Sequence, residues 1–275
     1  ATVSDQDFLK HGVLFSPMAS TDNNWQKSNV VNMPNGWVVQ RVAETGSTNT
    51  DLFDGAQNGA DHHTALMADN QTAGRGRLDR TWEAQSGANL LVSLLFREPN
   101  SEISSCQRIV AVSAVRACRM FVANDQAKSS SINLKWPNDL LLNEIKFGGM
   151  LSVAAVDQTF IVVGIGINIS WAPEYAAKLK DLELRQSLEP VDLLRALLEQ
   201  IEIVEKLSLQ QLHDEYVDLL STLNKSVRVE LTNGRVISGR ATSLDTDGRL
   251  VIETKDEKLL IDTGDVVHLR DANHD

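Results

Sequence analysis

The residues best equipped for chemistry fall in three short segments. In Gln71-Thr-Ala-Gly-Arg-Gly-Arg-Leu-Asp-Arg-Thr-Trp82, three arginines, Arg75, Arg77 and Arg80, interleave with Gly74 and Gly76. Glycine lets backbone approach a ligand closely, and a guanidinium pairs in a fixed fork with carboxylate or phosphate oxygens. In a chain of formal charge −11, that concentration of arginine suits an anionic ligand. A solvated basic turn paired to an acidic surface would carry the same residues. The second segment runs Leu134-Lys-Trp-Pro-Asn-Asp-Leu140 and resumes as Lys146-Phe-Gly-Gly-Met-Leu151. Trp-Pro-Asn-Asp predicts a tight turn after a strand. The chain then returns as a second strand past Gly148 and Gly149, and Lys146 beside these glycines could bring an ammonium close to reacting groups; Lys146 could equally be a solvated hairpin lysine, and Lys135 an outward strand residue. The third segment, Gly164-Ile-Gly-Ile-Asn168, ends an apolar strand. It lacks the third glycine of a dinucleotide fingerprint, and no GxxxxGK[ST] phosphate loop occurs in the chain.

Histidine and cysteine offer less. His62-His63 stands in a polar stretch without a His or Cys partner at metal-ligand spacing, and His11, His213, His268 and His274 are scattered. No resident metal and no hydrolase triad are expected. Cys106 and Cys118 fall in one predicted helix, where twelve residues at ~1.5 Å rise separate them by roughly 18 Å. A disulfide requires about 7 Å or less between Cα atoms, so both read as core filler.

The elements that must hold these segments alternate between strand and helix. Strands are predicted over Val38–Val42, Thr64–Asp69, Asn89–Arg97, Ile132–Trp136, Gly149–Val156 and Thr159–Asn168. A helix capped by Ser47 or Thr48 runs through Leu52 and Phe53, with Asp51 in its first turn. Ser104–Ala123 is amphipathic, and Val191–Leu220 reads as one or two helices. After Leu223 the pattern changes to about five short strands, with Asn233-Gly234 and Asp247-Gly248 as hairpin turns. Three parts follow: a polar arm over 1–36, with Trp25 as a docking residue and no helix-turn-helix pattern, a main domain over 37–222, and a small β domain over 223–275.

Composition bounds the function. The 275 residues are 42% hydrophobic and 23% charged, which excludes disorder, collagen and a continuous coiled coil. Acidic excess argues against non-specific nucleic-acid binding. No apolar run approaches the ~20 residues of a membrane helix. ATVSDQDFLK lacks a secretory layout, so the expected location is the cytoplasm.

Taken in order, Glu44-Thr-Gly-Ser-Thr-Asn49, QTAGRGR, LKWPNDL, KFGGML and GIGIN resemble the biotin protein ligase family over about 130 residues. The resemblance implies an α+β (mixed α/β) catalytic domain of the biotin/lipoate ligase type, followed by a small SH3-like β-barrel. It implies a two-step reaction: biotin and MgATP give biotinyl-5′-AMP, and a lysine of a biotin carboxyl carrier domain, from an acyl-CoA or pyruvate carboxylase, takes the biotinyl group. Biotin, ATP and Mg2+ are then substrates and activating ion. DNA and membrane are not expected partners, and the chain would be a monomer or homodimer. By similarity Ser47, Thr48, Asn49 and Gln71 lie at the biotin end, and Arg75, Gly76 and Arg77 close over the carboxylate and phosphate. Lys146 is the main catalytic cation beside Arg75 and Arg77. Arg80, Trp82, Asn138 and Asn168 face the nucleotide, with Asp139 in the floor. The family's loop commonly reads GRGRxGR, whereas Asp79 here replaces the later glycine and adds a negative charge beside the anion site. The arginine loop is expected to order on binding, because its like charges repel until an anion arrives. A lipoate or octanoate ligase or transferase shares the fold, and a non-catalytic biotin sensor would retain the pocket.

Overall fold

The computed structural model describes residues 29–33, 36–97, 103–123, 131–231, 233–262 and 264–268. Trp25 and most of the arm, including the stretch on which the helix-turn-helix expectation falls, lie outside them.

An eight-stranded mixed sheet forms the body. Its strands are β1 (Asn29–Asn32), β2 (Val38–Thr45), β3 (Thr64–Gln71), β4 (Asn89–Arg97), β5 (Ile132–Lys135), β6 (Asp139–Leu142), β7 (Ile145–Ala154) and β8 (Phe160–Asn168), in the spatial order β1-β2-β3-β4-β8-β7-β6-β5. Only β2 and β3 run parallel, and α1 (Thr48–Gln57) makes the crossover that a parallel pair needs. β4 and β8 occupy the middle and are buried on both faces, which explains their unbroken apolar runs. On one side α1 covers the sheet through Leu52 and Ala56 against Leu66, Leu95 and Val162. On the other lie α2 (Ile103–Phe121), α3 (Pro190–Val204) and α4 (Leu209–Asp218). The 191–220 stretch is thus two helices, the second started by Ser208 in a reciprocal capping box with Gln211. Arg116 and Glu215 join α2 to α4 through two 2.6 Å hydrogen bonds. Cys106 and Cys118 are free and fully buried in α2, and burial pushes both thiols up to about 12.

One stretch departs from the expected strands. β7 begins at Ile145 rather than Gly149, and an additional strand, β6, precedes it. Asn143 and Glu144 both adopt positive φ, 48° and 65°, the conformation of a two-residue hairpin turn. Asn-Glu is a weak signal for that turn, so the hairpin is not evident from composition. Its consequence is that Lys146 sits on a strand, as the second residue past the turn.

The second sheet contains β9 (Ser226–Glu230), β10 (Val236–Leu244), β11 (Leu250–Glu253), β12 (Lys258–Ile261) and β13 (Asp265–His268). Gly234 and Gly248 take positive φ, 78° and 86°, in its hairpins, as Asn-Gly and Asp-Gly predict. The expected barrel is not formed. The order is β12-β11-β10-β9-β13, and among the described residues no ladder joins β12 to β13, so the sheet is open. Its buried face does not need closure, since Val227, Val229, Ile252 and Val266 belong to the same apolar cluster as the body. The β13 edge is occupied at its start by the arginine loop: Gly264 and Asp265 take hydrogen bonds from Arg77 and Arg80.

The junction is built into the body. Leu134 N–H donates to Leu219 O and Ser221 N–H to Leu134 O, both at 2.8 Å, so residues 219–221 cover the β5 edge. Beyond them, Trp136 Nε1 donates to Gly248 O (2.9 Å) and Arg108 to Thr246 O (3.1 Å).

Candidate active site

A cleft of about 270 Å³ opens along the sheet where β3, β4, β6, β7 and β8 meet the start of α1. Ser47, Thr48, Asn49, Gln71, Arg75, Gly76, Arg77, Arg80, Trp82, Asn138, Lys146 and Asn168 all border it. The structure therefore brings together the residues that the resemblance assigns to the biotin and nucleotide ends, with Asp139, from segments up to 121 positions apart; Lys135, His62, His63, Cys106 and Cys118 are not among its lining.

One end is a neutral hydrogen-bonding network. Parallel register sets Thr45 opposite Gln71, which brings the Gln71 side chain to the β2–α1 turn. Gln71 Oε1 accepts from the Thr48 N–H (2.7 Å) and hydroxyl (3.1 Å). Thr48 Oγ1 lies 2.9 Å from Ser93 Oγ. Ser47 precedes α1 in extended conformation and makes no side-chain cap. Asn49 Nδ2 donates to Leu151 O at 2.8 Å, and a Cβ on Gly164 would fall 2.6 Å from that nitrogen. Glycine at 164 therefore makes room for Asn49. Ser93 was not among the predicted residues. Its signal was present, a lone hydroxyl inside NLLVSLLFR, and the structure buries it fully opposite Gly164.

The other end is cationic. The arginine loop folds back on itself: Gly76 N–H donates to Arg80 O (2.7 Å), Trp82 N–H to Gly74 O (2.9 Å), and Arg75 bridges Thr81. Leu78 at its tip has φ 54° and is exposed; the Asp79 side chain lies outside the described residues. Arg77 reaches Asn138 Oδ1 (3.4 Å) and Gly264 O (3.2 Å). Burial pulls the Arg77 guanidinium down, against the opposing charges of Asp139 and Asp265. Arg80 is ion-paired with Asp265, which raises its basicity. Burial pushes the Asp265 carboxyl up, but Arg80, Lys135 and Arg77 more than reverse this and hold it below the ordinary aspartate value. Asp265 also borders the cleft. It lies 185 positions from Arg80, and nothing in the sequence pointed to it.

Lys146 belongs to this cationic end as well. Its Nζ is 2.6 Å from Asp139 Oδ1 and 5.8 Å from the Trp82 ring centroid. The Trp82 indole lies flat against β8 because residue 166 is glycine; a Cβ there would fall 2.6 Å from the ring. Asn168 is fully buried at the end of β8, with its amide already committed: Oδ1 accepts from Asn89 Nδ2 (2.8 Å) and Nδ2 donates to Ala177 O (3.1 Å). Trp82 Nε1, by contrast, is buried without a hydrogen-bond partner. A cleft with neutral donors and acceptors at one end, and two arginines and a lysine at the other, suits a molecule with a polar uncharged head and an anionic tail.

Away from the cleft, His62, His63 and Glu205 place potential ligand atoms within 4.8 Å of one another, a partner for the two histidines that the sequence did not reveal. The His63 ring is stacked between Trp37 (4.3 Å) and His62 (3.8 Å). His62 Nδ1 accepts the Arg97 N–H at 3.0 Å. In a neutral ring this leaves the proton on Nε2 and gives that nitrogen no lone pair for a cation.

A family profile described as the Biotin/lipoate A/B protein ligase family matches residues 42–168, and one described as the Biotin protein ligase C terminal domain matches residues 222–269. The biotin–[acetyl-CoA-carboxylase] ligase of Mycobacterium tuberculosis is 33% identical, covering 90% of this chain and 96% of that protein. The bifunctional ligase/repressor BirA of Bacillus subtilis is 28% identical over 76% of this chain and 67% of its own length. Among solved structures, biotin protein ligase from Aquifex aeolicus in complex with biotin and ATP superposes with a TM-score of 0.70 at 25% identity, covering 85% of this chain and 99% of that one. With both profiles in order along one chain and a relative at 33% identity over nearly all of it, the protein is a member of the biotin protein ligase family.

Proposed function

We infer that this chain is an ATP-dependent biotin protein ligase, and the observation that carries the reading is the cleft with its neutral network at one end and Arg75, Arg77 and Lys146 at the other. A carboxylate oxygen of biotin attacks the α-phosphorus of MgATP; the bond from that phosphorus to the leaving pyrophosphate breaks and biotinyl-5′-AMP forms. The amine of an acceptor lysine then attacks the acyl carbon, loses a proton, and AMP leaves with the electrons of the acyl–oxygen bond. Two anions must meet in the first step and negative charge grows on the phosphoryl oxygens. Preplaced cations therefore stabilise the transition state more than the separated reactants.

In this reading the ureido head of biotin takes the Ser47, Thr48, Asn49 and Gln71 end, with Ser93 behind it. Arg75, Gly76 and Arg77 close over the carboxylate and the α-phosphate. Lys146 stabilises the charge developing between them, released from or shared with Asp139. The nucleotide lies along Arg80, Trp82, Asn138 and Asn168, and the orphan indole N–H of Trp82 supports a polar partner there. Residues 37–222 supply the chemistry, and Gly264 and Asp265 of the small β domain hold the arginine loop from outside. As a biotin protein ligase, the chain acts on a carrier protein; we propose a biotin carboxyl carrier domain of an acyl-CoA or pyruvate carboxylase. Among the described residues no helix is long and apolar enough to cross a membrane.

The test is pyrophosphate release from MgATP with biotin, lipoate, octanoate or no acid. Release with biotin alone, stoichiometric until a carrier domain is added, is the expected result. Release with lipoate or octanoate instead would move the substrate while keeping the fold. Tight biotin binding with no release would make the protein a sensor.

A further inference from the structure

We propose that Asn89 is a positioning residue for the nucleotide half of the cleft, an inference that rests on the biotin–ATP reading above. Asn89 opens β4 and does not border the cleft; it is 1% exposed. Register sets it opposite Asn168, which closes β8. Its carboxamide makes three hydrogen bonds, each to a different segment that runs to the site. Nδ2 donates to Asn168 Oδ1 at 2.8 Å and to Trp171 O at 3.1 Å, while Oδ1 accepts the Gln85 N–H at 3.4 Å. Gln85 belongs to the chain returning from the arginine loop past Trp82. Trp171 opens the segment that carries Pro173, Tyr175 and Ala176 to the mouth of the cleft.

The network continues beyond Asn168. With Oδ1 held by Asn89, the Asn168 amide has one orientation, and its Nδ2 donates to Ala177 O at 3.1 Å. Ala177 N–H in turn donates to Lys146 O at 2.9 Å. One buried side chain thereby fixes the return of the arginine loop, the segment after β8 and, through two further hydrogen bonds, the backbone of Lys146. Reversing the Asn89 amide would set its oxygen against Asn168 Oδ1 and Trp171 O, so the donor is specified by its surroundings. Asn89 has no hydrogen bond to Thr48, Gln71 or Ser93. Its loss is therefore expected to be felt by the nucleotide and not by biotin.

Two variants separate positioning from packing. Asn89→Asp keeps the shape and removes the donor, whereas Asn89→Ala keeps neither. Calorimetry of the biotin-loaded protein with an ATP analogue whose α,β-bridging oxygen is methylene reads nucleotide affinity without turnover, and a separate titration reads biotin. The expected result is weaker nucleotide binding by about tenfold in both variants, with the aspartate at least as impaired as the alanine and biotin affinity within about twofold. Partial recovery of the aspartate variant at acid pH is also expected, because a protonated carboxyl regains one donor. Packing alone would leave the aspartate near wild type and make alanine the worse change, which would overturn the proposal. Equal loss of biotin and nucleotide binding, or failure of both variants to fold, would also overturn it. Biotin-dependent pyrophosphate release by the unaltered protein is scored separately. Its absence refutes the activity reading, while the affinity pattern refutes or supports this one.

Discussion

Thr48, Gln71 and Ser93 owe their places to strand register and the start of a helix, whereas Arg77 and Arg80 are held by Gly264 and Asp265, 187 and 185 positions further along the chain. The first group is buried or partly buried, and its polar atoms already meet one another. A neutral head entering there finds donors and acceptors whose orientation has been fixed by folding, and little further ordering is required. The second group is a set of cations held by carboxylates: Arg80 by Asp265 and Lys146 by Asp139. An anion arriving at that end must share or replace those partners. One region is preorganised by geometry, the other by charges that a substrate can exchange for its own.

Four changes break or sharpen that contrast. Lys146→Ala should have the largest effect, lowering the adenylation rate by roughly 10²–10³-fold, on the scale of losing one donor to a developing oxyanion. Biotin affinity should move far less; near-normal single-turnover pyrophosphate release would refute the role. Ser93→Val should raise the biotin Kd by about tenfold, because it takes from the buried Thr48 hydroxyl one of its two partners and leaves it only Gln71 Oε1. Calorimetry would show nucleotide affinity nearly unchanged, and an equal loss of both would mean that the two ends are not separate. Asp265→Asn acts only on the cationic end. Arg80 is 65% exposed on its side chain, so the ion pair is weak. Trypsin cleavage after Arg77 or Arg80 should speed up by about threefold in the unliganded protein, with less difference once biotin and ATP are bound. Unchanged cleavage would show that Asp265 does not hold the loop.

The smallest effect concerns pH. His268 on β13 contacts Thr222 and Glu144. Burial, then Lys225 and Lys135, hold its imidazole below the ordinary 6.5 against the pull of Glu144. The unfolded chain thus takes up this proton first. The neutral ring's contribution is intact above about pH 6.5 and declines as pH falls toward the lowered value. A modest drop in Tm is expected over that window, and His268→Gln should flatten it; an unchanged slope would exclude His268 as its source.

The contrast also governs what could be seen in the sequence. The body's strands and helices are marked by apolar periodicity: β4 and β8 by unbroken runs, α2 by Ile109, Val112 and Val115 on its buried face. Glycine and arginine in QTAGRGR, and Lys146 beside Gly148-Gly149, were legible because unusual residue types were concentrated over a few positions. Ser93 left a faint trace, one hydroxyl in an apolar strand. Asp265 and Glu205 left none, since each reaches its partner only through tertiary packing. The open edge of the second sheet was equally hidden: five short strands with good hairpin turns look the same whether or not the outermost pair meet. Asn-Glu at 143–144 masks a hairpin that Asn-Gly would have announced.

Residues 219–221 hydrogen-bond along β5 before the chain enters the second sheet, and this governs where the protein can be cut. A deletion beginning at residue 223 would leave the last strand of the large sheet covered. One beginning four residues earlier would bare the β5 edge at Leu134, a row of unpaired N–H and C=O groups open to any other strand. The shorter product is therefore the one that should aggregate. Anyone grafting a different accessory unit onto this scaffold would do well to keep Leu219 to Thr222 as part of the scaffold.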